Sequence, residues 1–254
     1  PEYQLLLMEA LPGKPFFKPL LKAWIDHHHG DQTASHEDEA TLEKAIQTCA
    51  LIAATLHGSN IQLGQRNTLE LQVAKLQESA DVLSQVLPEL GAQVKSWISQ
   101  TVEFAHAYPA MPARFSHGDF TYTQLIFDGK NGGLVDFDTM CQAEPAQDLG
   151  HYLAYQRLNI IKDQDPNSPF PQEEIEHLCA VFLDTYIDVA KAWIADEALL
   201  RGRVAIYELI SLIRLTLHSW EKMKGSRLKQ TMSLLEERIE CQKQINLSLK
   251  NKTP

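Results

Sequence analysis

The sequence predicts an α+β fold, mainly helical, with one small β insert. Three observations carry that expectation. Apolar residues recur at helical spacing through most of the chain. One stretch, residues 113–138, breaks that spacing into short apolar runs separated by turn residues. Hydrophobic residues make up 44% and charged residues 22%, a composition that can bury a proper core.

In chain order, Leu5-Leu6-Leu7-Met8 is a short apolar run stopped by Pro12-Gly13, the pattern of a buried strand entering a turn. Over 41–57, Leu42, Ala45, Ile46, Cys49, Ala53 and Leu56 fall on one helical face, and Ser35-His36-Glu37-Asp38 upstream resembles a capping box. Segments 69–86 and 90–107 read as two further helices broken around Pro88. Ala113–Ser116, Gln124–Phe127 and Gly133–Phe137 read as three short strands, with Asp128-Gly129 and Asn131-Gly132 as turn residues between the last two. Over 172–194, Ile175, Leu178, Cys179, Phe182, Tyr186, Val189 and Trp193 keep helical spacing. Val204–Trp220 is apolar on nearly every side, which predicts a central helix, and a last amphipathic helix spans about Leu228–Leu249.

A balance of 23 basic against 33 acidic residues, net −10, argues against a nucleic-acid partner and suits a cationic or neutral substrate better. Cys49, Cys141, Cys179 and Cys241 lie far apart without a Cys-x-x-Cys pair, so neither a zinc site nor a disulfide framework is expected, and a reducing cytoplasm fits. The longest uncharged apolar run, Cys49–Leu56, is too short to cross a bilayer, and no basic-then-apolar signal opens the chain. Opening at Pro1 in an apolar run, the sequence reads as cut from something longer.

The chemistry concentrates in Ser116-His117-Gly118-Asp119-Phe120-Thr121-Tyr122-Thr123-Gln124 and, beyond a hairpin, Leu134-Val135-Asp136-Phe137-Asp138. Phosphoryl transfer needs a carboxylate to take the proton of the attacking hydroxyl, and hard oxygen ligands to hold magnesium on the nucleotide phosphates. Asp119 on a tight loop suits the first task, and Gln124 and Asp136 the second. With a loop of residues 128–132, pairing is symmetric about Lys130 and Gln124 faces Asp136, with β-carbons about 4.5–5.5 Å apart. A two-residue turn at Asn131-Gly132 would put Phe127 there instead.

His-Gly-Asp, four residues, an amide, and an apolar strand ending in Asp-x-Asp resembles the signature of the aminoglycoside phosphotransferase and choline kinase-like family. The resemblance implies the large carboxy-terminal lobe of a protein-kinase-like enzyme, with the catalytic loop and metal-binding hairpin at 113–138. Asp119 would be the catalytic base and Gln124 and Asp136 the magnesium ligands. Glu144-Pro145-Ala146-Gln147-Asp148-Leu149 looks like the family's Asp-Pro-Ala-x-Asp-Leu segment, in which Asp148 would brace the catalytic loop. Leu7-Met8-Glu9-Ala10-Leu11-Pro12-Gly13 resembles the interlobe hinge, so residues 1–13 would end the smaller lobe and 14–254 form the helical one. The Glu9 carbonyl and Leu11 amide would then face adenine. Leu56-His57-Gly58 resembles the end of an early helix of the same lobe. The implied reaction moves the γ-phosphate of ATP, or alternatively GTP, to a hydroxyl of an aminoglycoside, amino alcohol or sugar. Gln124 stands where the family usually has asparagine, although maltokinase-like relatives resemble this chain in carrying glutamine. The family's glycine-rich loop and phosphate-binding lysine belong to a lobe that would precede residue 1, which implies little or no kinase activity in this chain alone.

Beside these stand plainer readings. His117 reads as an anchor of the loop, and Asp138 as either a supporting acid or a loop cap. His27, His28, His29, Asp26, Asp31 and His36 read as a solvated surface rather than a metal site, and Asp196, Glu197 and Glu208 as a solvated face rather than an acidic cleft. Leu134–Thr139 also resembles the nucleophile strand of haloacid dehalogenase-like phosphatases, but Met140 stands where that motif expects Thr or Val. A non-catalytic half-kinase that binds or regulates is the other alternative.

Overall fold

The computed structural model describes residues 14–28, 36–127, 132–163 and 171–250. The strand expected over 5–8, the hinge with Glu9 and Leu11, Ser35, and His29 and Asp31 of the histidine cluster lie outside the described residues. In chain order the elements are β1 (Lys14–Pro15), α1 (Phe17–His28), α2 (His36–Gly58), β2 (Gln65–Arg66), α3 (Leu69–Val86), α4 (Pro88–Ala105), β3 (Arg114–Ser116), β4 (Leu125–Phe127), β5 (Gly132–Leu134), β6 (Cys141–Ala143), α5 (Pro145–Asp163), α6 (Gln172–Ala190), α7 (Glu197–Glu221) and α8 (Gly225–Lys250).

Helices dominate because their apolar stripes have one another to cover. Leu42, Ile46, Cys49, Ala50 and Ala53 of α2 are buried, as are Leu178, Phe182 and Tyr186 of α6, and these two helices pack together. Thr68 caps α3, accepting from the Leu71 amide, and Pro88 opens α4, where its missing N–H leaves no bond unmade. Asp196 caps α7 through the Leu199 amide at 2.8 Å. From Leu200 to Leu217 that helix is buried on nearly every side, so it forms the centre of the packing.

Two corrections concern the β insert. It is two small sheets: β1-β4-β5, all antiparallel, and β2-β6-β3, in which Cys141–Ala143 pairs antiparallel with β3 and parallel with β2. Strands of two or three residues are too short to show a period-two pattern, which is why β2 and β6 escape a sequence reading. The hairpin register is also one residue off the symmetric expectation. Leu125 pairs with Leu134 and Phe127 with Gly132, so Gln124 lies opposite Val135, whose amide donates to the Gln124 carbonyl at 3.0 Å.

A third correction concerns Glu208, which does not belong to a solvated face. It is 2% exposed and accepts from Arg157 Nε at 2.8 Å, inside a network with Glu176 and Arg238. No helix among the described residues is long and apolar enough to cross a membrane.

Candidate active site

β3 delivers the chain into a loop, His117-Gly118-Asp119-Phe120, that is fastened from three sides. Gly118 has φ +85°, a conformation that disfavours any side chain, and a Cβ there would collide with the Thr139 carbonyl. Thr139 Oγ1 donates to the His117 carbonyl at 3.0 Å. Phe120 is completely buried and holds the far end of the loop in the core.

The third fastening is Asp148, in the first turn of α5. Its Oδ2 accepts from the His117 amide at 2.7 Å and its Oδ1 from the Gly118 amide at 2.9 Å. His57, at the end of α2, donates its Nε2 proton to Asp148 Oδ2 at 3.1 Å, and its Nδ1 accepts from the Tyr186 hydroxyl at 2.8 Å. Burial would raise the Asp148 carboxyl, but the His57 bond and the two loop amides hold it below the usual range. A buried carboxylate is thus kept ionised to tie three segments of chain together. Neighbouring Glu144 joins the start of α5 to α7. It accepts from Arg203, from the Tyr207 hydroxyl at 3.0 Å and from the Met111 amide at 3.0 Å.

His117 is fully buried and donates its Nε2 proton to the Val135 carbonyl at 2.9 Å, leaving Nδ1 buried without a partner among the described residues. Its ring therefore pins the loop to the end of the hairpin.

Asp119 is the half-exposed member of the group, its side chain 42% accessible. Its Oδ1 accepts from His151 Nε2 at 2.8 Å, while Oδ2 makes no hydrogen bond among the described residues. His151 Nδ1 in turn accepts from Ser211 on α7 at 3.2 Å. Burial lowers the His151 imidazole below its ordinary value despite the carboxylate beside it, so the ring stays neutral and donates from Nε2. Burial also pushes the Asp119 carboxyl upward, yet the His151 bond and the charge of Arg214 outweigh it and hold the group ionised.

This chain from Ser211 to Asp119 depends on a close helix crossing. Gly150 faces α7 so tightly that a Cβ would stand 2.5–2.7 Å from the backbone of Glu208, Tyr207 and Val204. The residue after it, His151, is thereby brought against both Ser211 and the loop. His151 and Ser211 carry no motif in the sequence, and His57 stands out only within Leu56-His57-Gly58. Only their facing elements bring them together.

Gln124 and Asp136 meet through an unusual turn of backbone. Asp136 adopts the left-handed conformation, φ 67° and ψ 57°, which redirects the chain at the end of β5. Gln124 Nε2 consequently donates to Asp136 Oδ2 at 3.0 Å although the two residues are not paired in register. Asp136 is exposed. One carboxylate beside one amide is a donor set that fits magnesium, which takes few protein oxygens and fills its octahedron from water and phosphate. Rotation of the amide would present Gln124 Oε1 to the ion in place of the nitrogen. Among the described residues, no cluster of three or more His, Cys, Asp or Glu could hold a metal by itself. Asp138 is exposed and makes no hydrogen bond among the described residues.

A family model described as the phosphotransferase enzyme family matches residues 3–174, more than half of the sequence. No curated protein sequence matches closely enough to count as a relative. Among solved structures, the chain is similar to a choline kinase from Cryptosporidium parvum Iowa II, with TM-score 0.57 and 15% identity over 82% of this chain and 67% of that one. It is similar to a choline/ethanolamine kinase family protein from Mesorhizobium loti, with TM-score 0.57 and 19% identity over 81% and 68%. A glucosamine kinase solved with glucosamine, ADP and inorganic phosphate gives TM-score 0.65 and 18% identity over 94% and 62%. At such identities the likeness is one of fold: a mainly helical α+β lobe with a small β insert. The chain spans 62–68% of the length of these three structures.

Proposed function

This chain belongs to the phosphotransferase enzyme family, and from that membership we propose that it is the catalytic and acceptor-binding lobe of a small-molecule kinase. The reaction moves the terminal phosphoryl group of ATP to a hydroxyl. The observation that carries this reading is Asp119: ionised, oriented through Oδ1 by a neutral histidine, and with Oδ2 free at a half-open position.

An acceptor hydroxyl placed on Oδ2 loses its proton to that oxygen as its own oxygen bonds to the γ-phosphorus. The bond from phosphorus to the bridging oxygen breaks and ADP leaves. The loop amides, Asp148 and His117 keep Asp119 from drifting during this exchange. Gln124 and Asp136 would hold magnesium, whose charge offsets that of the phosphates. Glu9 and Leu11 are proposed to face adenine through their backbone. Family membership removes the ground for a haloacid dehalogenase-like reading.

The test is magnesium-dependent ADP release with a panel of hydroxyl compounds. It uses the chain alone and joined to whatever upstream sequence its gene encodes. Asp119→Asn is expected to lower kcat by roughly 10²–10⁴ fold with little change in nucleotide affinity. Turnover unaffected by that substitution would remove Asp119 from the reaction. Nucleotide binding without turnover, under every acceptor and in both lengths, would favour the half-kinase that binds but does not catalyse.

A further inference from the structure

Asp119 shares its surroundings with positive charge that no carboxylate among the described residues meets at salt-bridge distance. Ser211 and Arg214 stand three apart on α7 and so project from one face. Ser211 supports His151, and Arg214 lies one turn further along, near enough to Asp119 to help hold its charge. Arg214 Nη2 donates to Gln72 Oε1 at 3.5 Å. Gln72 is buried and fixed in turn, donating to Gln147 Oε1 at 2.7 Å, which also accepts from Asn67 at 2.9 Å. From α8, the Arg227 guanidinium sits 5.8 Å from the Tyr155 ring centre, and that ring lies 4.8 Å from the His151 ring. Arg214, Arg227, Tyr155, His151 and Asp119 thus form one continuous wall.

Four of the eight arginines show what a paired one looks like. Arg157, Arg201, Arg203 and Arg238 each contact a carboxylate at salt-bridge distance. Among the described residues, neither Arg214 nor Arg227 has a carboxylate within 4.0 Å. A guanidinium carries five N–H donors in a planar fork. Arg214 spends one of them, on a bond at the long limit of useful geometry. It is half-buried, so it has surrendered part of its water, while its attraction to Asp119 acts only from beyond salt-bridge distance. A cation with unspent, pre-aimed donors beside a reaction centre matches a carboxylate or phosphate, which the fork can grip with two parallel bonds.

We propose that the acceptor carries an anionic group, gripped by Arg214 and flanked by Arg227 and Tyr155, while its hydroxyl is presented to Asp119. The substrate class is a small hydroxylated anion such as a hydroxy acid, a sugar acid or a sugar phosphate. This rests on the kinase reading for the word acceptor, although the anion site stands on its own geometry. It also reverses what the net charge of −10 suggests. The molecule's overall field favours a cation, but the wall around Asp119 is locally positive, and short-range contacts decide recognition.

The experiment is titration calorimetry on two matched series, glycerol, glycerate and glycerol 3-phosphate, then glucose, glucosamine, glucuronate and glucose 6-phosphate. ADP release with the same compounds follows. An anionic member is expected to bind at least roughly tenfold more tightly than its neutral partner. The carboxylate and phosphate members distinguish which oxyanion is meant. Arg214→Met should abolish the preference, Arg214→Lys should keep part of it, and Arg227→Met, on α8, should weaken it. Tighter binding of the neutral or cationic members, or no anion binding at millimolar concentration, overturns the proposal. So does an Arg214→Met variant that loses turnover equally with every acceptor at unchanged acceptor KM, since Arg214 would then serve the transferred phosphoryl group. Should Arg214→Met fail to fold, the wild-type series and Arg227→Met still decide. Anion binding without phosphate transfer would sink the kinase reading alone, and transfer to glucose or glucosamine in preference to both glucuronate and glucose 6-phosphate would sink this one alone.

Discussion

A carboxylate acts as a base only while ionised, and in the proposed reaction that carboxylate is Asp119, which its neighbours hold ionised against burial. The donor is His151, and what makes it a dependable donor is its own neutrality. Asp119, Arg214 and Asp148 are the charges that bear on its ring, with Ser211 closing the far nitrogen, and burial outweighs the two carboxylates. A hydrogen bond to the ionised form lowers a carboxyl's pKa, so deleting it raises that pKa. His151→Leu is therefore expected to move the acid limb of kcat/KM to higher pH and to cost up to roughly 10² fold in kcat through loss of orientation. His151→Gln, which keeps an N–H, should return part of both. A purely structural histidine would lower activity without moving the pH profile, and an unmoved limb would sink the assignment. Asp119, Gln124 and Asp136 were legible in the sequence because their spacing is a motif. His151 and Ser211 were not, and His57 was seen only within Leu56-His57-Gly58 and without its partners, because these partnerships cross from helix to helix.

At the scale of elements, the sequence reading succeeded where an apolar stripe repeats and failed where function occupies the stripe. α3 is found at the bounds expected, and α2, α4, α6, α7 and α8 overlap their predicted segments. α5 was missed although Leu149, Tyr152, Leu153 and Ile160 keep helical spacing and are buried, because the buried Gln147, Asp148, His151, Gln156 and Arg157 interrupt that stripe. Polar residues at inward positions mask a hydrophobic period, and this helix bears much of the candidate site. In α1, Phe17, Leu21, Trp24 and Ile25 do keep helical spacing and are buried; Pro19 and the adjoining histidines obscure it. The hairpin register stayed open in the sequence, since it depends on the loop between the strands, and different loop lengths give different pairings. The crossing of α5 on α7 yields its own prediction. Gly150→Ala forces a methyl against α7 backbone, which should cost about 1–3 kcal/mol of stability and separate His151 from Ser211. Gly225→Ala, where an added Cβ meets nothing, should leave stability unchanged or slightly raised. Denaturant midpoints and turnover measured together check the pair: equal behaviour of the two variants would mean the crossing is not tight, and a stable but inactive Gly150→Ala would show that it chiefly aligns the relay.

Over the whole molecule, the same electrostatics that prepare the site also set how the fold responds to acid. Asp148, Asp119 and Glu176 are each pushed up by burial and held down further by their partners, so their carboxyls lie below the usual range in the folded chain. Glu70 is lowered too, chiefly by Thr68. A depressed folded pKa contributes stability above the unfolded value, and that contribution is lost as pH falls through the folded one. Stability should accordingly be level from neutrality to about pH 5 and fall steeply below about pH 4, where unfolded carboxyls take up protons. Asp148 should dominate the fall, since it is the one wholly buried and bonded to three segments. Asp148→Asn is then expected to be markedly less stable at neutral pH but to lose less on acidification, so that its curve approaches the wild type at low pH. Asp119→Asn, half-exposed and with one oxygen free, should follow the wild-type curve closely while losing turnover. Urea titrations across this range separate the two carboxylates by role, one holding the loop and the other acting from it. An Asp148→Asn curve parallel to the wild type throughout would mean that the loop is held by something other than that charge.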